Sequence, residues 1–70
     1  MRLSTRNQLT GTVTEVTVGA VMATVKVRLD GGDQVVTASI TKEAVEELGL
    51  EAGTAATVLV KSTEVMLGVD

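Results

Sequence analysis

Two short polar runs at opposite ends of the chain hold the side chains best suited to chemistry. Ser4-Thr5-Arg6-Asn7 offers two hydroxyls, a guanidinium and a carboxamide in consecutive residues, flanked by Leu3 and Leu9. Lys61-Ser62-Thr63 adds an ammonium and further hydroxyls near the C-terminus. Fixed cations, hydroxyls and exposed backbone N–H groups are what a tetrahedral oxyanion, with acceptor oxygens on every side, requires. Arg presents a planar fork and Lys a compact point charge, so the two can grip adjacent edges of one dianion. Either run alone reads as a solvated polar stretch. The pair carries chemistry only if folding or assembly brings the ends together.

Two other readings stay open on the residues alone. In a structural one, Arg6 pairs with a glutamate of a neighbouring chain and the hydroxyls end strands. In an enzymatic one, Ser4 or Ser62 with Lys61 forms a Ser–Lys pair, but no spacing motif or third orienting group accompanies it. The acids Glu43, Glu46 and Glu47 read as the solvated face of a helix rather than as catalytic carboxylates.

Composition narrows the field further. The chain has 70 residues, a formal net charge of -3, no Cys, no His, no Pro and no aromatic residue. Without Cys or His the commonest nucleophile–base pairs, soft metal ligands and structural zinc sites are missing. Without aromatic rings there is nothing on which to stack bases, and the negative charge repels a polyanion, so nucleic acid is disfavoured. No apolar run approaches the ~20 residues of a membrane-spanning helix. Met1-Arg2-Leu3-Ser4 lacks the apolar core of a signal peptide, so the chain reads as cytoplasmic. A core of this size rarely supplies more than ~3–5 kcal/mol, and small domains usually need a staple. Disulfide and zinc being unavailable, self-association is the staple expected, burying part of the 44% hydrophobic content.

The elements that must position the two runs follow from patterning. Leu9 to Val18, rich in Thr and Val, reads as a strand whose apolar positions shift from odd to even. That shift predicts a bulge or bend, with Gly11 as its natural place. After a Gly19-Ala20 turn, Val21 to Leu29 alternates, with Val21, Ala23, Val25, Val27 and Leu29 on one face. Gly31-Gly32 predicts a two-residue hairpin, both glycines at positive φ, returning through Gln34 to Ile40. Thr41 should cap a short helix whose stripe is Ala44, Val45 and Leu48, with Gly49 left-handed at its end and Leu50 folding back. Ala55 to Val60, nearly all apolar, reads as a strand buried on both faces. A brief helical turn at Ser62 to Val65 and a last strand at Val65 to Val69 complete the chain. The fold expected is mainly β: one domain over residues 1–70, a small five-stranded OB-like Greek-key barrel with one short helix between strands 3 and 4.

Ser4-Thr5-Arg6-Asn7-Gln8-Leu9, the segment Ile40 to Gly49 and the ending Val60-Lys61-Ser62-Thr63-Glu64-Val65-Met66 closely resemble the molbindin (Mop) family across essentially all 70 residues. These are small molybdate- and tungstate-binding proteins of one TOBE-type, OB-like domain. Position five, often alanine in the family, is threonine here. The resemblance implies a hexamer, a trimer of dimers, with oxyanions held at subunit interfaces. Carried over, Ser4, Thr5, Arg6 and Asn7 of one subunit would face Lys61 and Ser62 of another. Further anion sites occur at other subunit contacts in the family, and the loop Gly19-Ala20-Val21 would serve one through backbone N–H groups. The metal arrives as a complete oxyanion, so no protein atom need bond it and the lack of His and Cys is no obstacle. Overall acidity is tolerable, since the field at Arg6 and Lys61 acts within a Debye length of ~8–10 Å. The function implied is intracellular molybdate or tungstate binding for storage or homeostasis, not catalysis. The alternative is a regulatory oxyanion-sensing module working with a separate transporter or transcription-factor chain.

Overall fold

The computed structural model describes residues 1–70. Four strands, β1 (Asn7–Val18), β2 (Met22–Leu29), β3 (Val35–Thr41) and β4 (Ala55–Val60), form one antiparallel sheet. Its spatial order is β3-β2-β1-β4. A short helix, α1 (Lys42–Leu48), connects β3 to β4, and a single 3-10 turn, Ser62–Glu64, follows β4. The mainly β, OB-like architecture with its helix between the third and fourth strands is the one expected.

Alternation on β2 decides the inner face. Ala23, Val25 and Val27 are buried, while Met22, Thr24, Lys26 and Arg28 are exposed. Val13 of β1 and Val45 of α1 complete the core, with Val16, Ile40, Leu50, Ala56 and Val58 packed around it. The odd-to-even shift in β1 is a bulge, but it lies between Val13 and Glu15 rather than at Gly11. Thr14 is the extra residue, and its hydroxyl donates to the Lys26 carbonyl at 3.3 Å. Gly11 has a different task. It pairs with Leu29 on one side and Ala56 on the other. A Cβ built there lies 2.5 Å from the Arg28 carbonyl oxygen and 2.8 Å from Val27 Cγ1, so only glycine fits.

Local signals around the helix hold. Thr41 Oγ1 accepts the Ala44 N–H at 3.0 Å. Gly49 takes φ 64°, and its N–H donates to the Glu46 carbonyl at 3.2 Å. The Leu50 N–H donates to the Val45 carbonyl at 3.1 Å, which completes a Schellman ending.

Five further expectations need correction. Val65 to Val69 forms no strand, so the sheet has four strands and not five. With β3 and β4 both at edges, the barrel is open rather than closed. β4 is half-buried, not buried on both faces: Ala56 and Val58 pack against the core while the alternate residues Ala55 and Leu59 are exposed. Leu48 is 67% exposed: the short helix has Val45 as its only buried residue. The β2–β3 connection spans Asp30 to Gln34, with the Leu29 N–H donating to the Gln34 carbonyl at 2.8 Å. Only Gly31, at φ 86°, is left-handed there, so it is not a two-residue hairpin with both glycines at positive φ.

Candidate anion-binding site

β1 and β4 bring the two polar runs together. Their antiparallel register pairs Asn7 with Val60, so the chain leaves the sheet on one side into Arg6 and on the other into Lys61. The result is an open depression of about 460 Å³ lined by Ser4, Thr5, Arg6, Leu59, Lys61, Ser62 and Thr63. Two cations and four hydroxyls line it, and no carboxylate does. Glu64 stays out of the lining, its N–H donating to the Lys61 carbonyl at 2.9 Å within the 3-10 turn.

Backbone donors add to the side chains. No backbone N–H of residues 1–6 donates to a backbone carbonyl. Those of Ser4, Thr5 and Arg6 therefore remain open to a ligand. The Ser62 and Thr63 N–H groups, at the start of the 3-10 turn, likewise have no backbone acceptor. The chain's one salt bridge joins Glu15 to Lys26 at 3.8 Å on the exposed face of the sheet. Arg6 and Lys61 thus have no carboxylate partner within the chain. A cup of this kind can hold a tetrahedral anion by charge-assisted hydrogen bonds from several sides.

Of the residues singled out in the sequence, Ser4, Thr5, Arg6, Lys61 and Ser62 converge on this depression. Asn7 does not line it; its Nδ2 donates to the Val60 carbonyl at 3.0 Å. Thr63 and Leu59 do line it, though neither was assigned a binding role from sequence. Thr63 was legible as the third residue of its polar run. Leu59 was not, because a nearly all-apolar strand hides which face is uncovered; Leu59 alternates with the core-packed Val58 and is exposed.

The Gly19-Ala20-Val21 loop is only partly gathered. Ala20 and Val21 line a second open depression with Thr41, Lys42, Glu43 and Glu46. Gly19 lies outside that lining and closes the β1–β2 turn, its N–H donating to the Met22 carbonyl at 2.8 Å. The Ala20 and Val21 N–H groups have no backbone acceptor, but Glu43 and Glu46 outnumber Lys42 there.

Comparison with known proteins bears on the ligand. The TOBE domain family matches residues 3–67. Molybdenum-pterin-binding protein 3 of Clostridium pasteurianum is 45% identical over 67 residues, covering 96% of this chain and 97% of that protein. Among solved structures, the cytoplasmic molybdate-binding protein ModG, with molybdate bound, superposes with a TM-score of 0.92 at 50% identity. That match covers all of this chain and 49% of ModG. A molybdate-binding protein from Sporomusa ovata gives a TM-score of 0.90 at 36% identity, covering 99% of this chain and all of that one.

Proposed function

The chain belongs to the TOBE-domain family, in its molbindin (Mop) branch, and on that premise we propose that it binds molybdate as an intact oxyanion in the depression between its two polar runs. The role is binding rather than catalysis. The observation that carries the reading is the convergence of Arg6, Lys61 and four hydroxyls on one depression free of carboxylates. Arg6 and Lys61 supply charge. Ser4, Thr5 and Ser62 supply directed donors, joined by the unpaired N–H groups around them. Tungstate, with the same shape and charge, fits the same donor set. The physiological role proposed is cytoplasmic storage or homeostasis of the metal by a single domain spanning residues 1–70, without catalytic residues.

The depression is open on its outer side, and the proposal includes a second copy of the chain closing it, within a hexamer built as a trimer of dimers. The exposed apolar segment after Glu64 supports assembly: Met66, Leu67 and Val69 are each more than 90% exposed. Only six residues of the chain are buried, too small a core to dispense with partners comfortably. For the Gly19-Ala20-Val21 loop we propose a second anion site at another subunit contact. A neighbouring chain would there have to supply the positive charge that Glu43 and Glu46 cancel.

Native mass spectrometry with and without molybdate tests assembly and ligand uptake together. The expected result is an oligomer that gains mass in steps of one oxyanion. A monomer that takes up no oxyanion overturns the proposal.

A further inference from the structure

We propose that the adjacent carboxamides of Asn7 and Gln8 are positioning residues that preset the two donor arms of the anion site, an inference that rests on the reading of that site given above. Successive residues of a strand point to opposite faces, so these two side chains leave the start of β1 in different directions. Asn7 Nδ2 donates to the Val60 carbonyl at 3.0 Å. Gln8 Nε2 donates to the Thr5 carbonyl at 2.7 Å. Each bond therefore engages the peptide unit immediately before one of the two cationic residues.

A planar trans peptide holds its C=O and N–H on opposite sides, and the chain has no cis peptide bond. Pinning the Thr5 carbonyl toward Gln8 sends the Arg6 N–H the other way. Pinning the Val60 carbonyl toward Asn7 does the same for the Lys61 N–H. Each bond also draws an electron-rich carbonyl oxygen, which repels an oxyanion, toward a carboxamide donor. The Gln8 bond matters most for the arm. Residues 1–6 make no backbone–backbone hydrogen bond, and no other side-chain hydrogen bond reaches them. Without Gln8 the arm bearing Ser4, Thr5 and Arg6 has to be ordered by the ligand itself, and that ordering weakens binding.

Gln8→Met keeps the side-chain length and removes the donor on an exposed bond; Asn7→Leu does the same at the part-buried one. Three quantities are read for each: 15N relaxation order of backbone N–H groups in the ligand-free protein, calorimetric affinity for molybdate, and melting temperature. Gln8→Met is expected to loosen the Thr5 and Arg6 N–H groups, leave Lys61 and the melting temperature unchanged, and weaken molybdate binding ~3–10-fold. Asn7→Leu should loosen Lys61 and Ser62 instead. If Asn7→Leu fails to fold, Gln8→Met alone decides. Unchanged arm order overturns the proposal, whether or not affinity falls, since lost affinity with intact order makes Gln8 a direct ligand. A loosened arm with wild-type affinity overturns it too. Wild-type protein that takes up no molybdate overturns the reading of the site, a separate result, and the order measurement then still decides whether the carboxamides hold the arms.

Discussion

Arg6 and Lys61 are the only charged side chains lining the depression, and neither is spent on an ion pair within its own chain. Both stand where the chain leaves the paired ends of β1 and β4, which fixes the origin of each long side chain while leaving its head free to reach a ligand. A hydrogen bond from a charged donor to an anion contributes ~1.5–3 kcal/mol. Arg6→Ala and Lys61→Ala are therefore each expected to weaken molybdate binding ~10–100-fold or more, read by equilibrium dialysis. Arg6→Lys should recover part of the loss but not all, since an ammonium cannot reproduce the planar fork. Full activity in either alanine variant would remove that residue from the site.

At the scale of elements, two glycines do different jobs and should fail differently. Gly49 ends α1 in the left-handed region with nothing within 4 Å of a built Cβ. Gly49→Ala then costs only the conformational penalty, about 1 kcal/mol. Gly11 meets a backbone carbonyl at 2.5 Å, and backbone at the centre of a sheet cannot swing aside as a flexible side chain can. Gly11→Ala must displace β2 from β1, so its cost should exceed that at Gly49, on the order of 1–3 kcal/mol for overpacking. It should also weaken molybdate binding, because β1 carries the arm and pairs with β4. Urea denaturation of both variants checks the order. Equal losses, or a larger loss at Gly49, would show that the β1–β2 approach is softer than the geometry implies.

For the whole molecule, the open sheet and the exposed apolar C-terminal segment both favour the proposed assembly. β3 and β4 each present an edge, and an uncovered edge in a Val-rich chain invites uncontrolled pairing. The proposed assembly would cover edges and tail alike. The molbindin resemblance leads one to expect each anion gripped by Arg6 of one subunit and Lys61 of another. Within this chain both residues line one depression, and in an arrangement built on it a neighbour would close the site without supplying either cation. Co-refolding Arg6→Ala with Lys61→Ala distinguishes the two arrangements. With both cations from one chain, every depression in the mixed oligomer lacks one of them, and molybdate titration should show no recovery. Recovery of a fraction of the sites in proven mixed oligomers would mean that the cations come from different chains.

Much was legible in the sequence because it depends on a few neighbouring residues. The alternation of β2, the Thr41 cap, the Gly49 ending and the turn after Lys61 rest on preferences that act within about one helical turn or a strand's pleat. The residue types of the site were legible for the same reason: four residues in a row declare themselves as donors without a fold. What sequence did not determine is what depends on pairing across distance. Asn7 meets Val60 across 53 positions, and that one register joins the two polar runs, takes Asn7 out of the lining and brings in Thr63 and Leu59. Tertiary structure likewise decided that β4 is an edge, that Leu48 faces solvent and that Val65 to Val69 has no strand to pair with. Apolar composition specifies that a surface is to be buried, but only the arrangement of the strands decides whether its own chain can bury it.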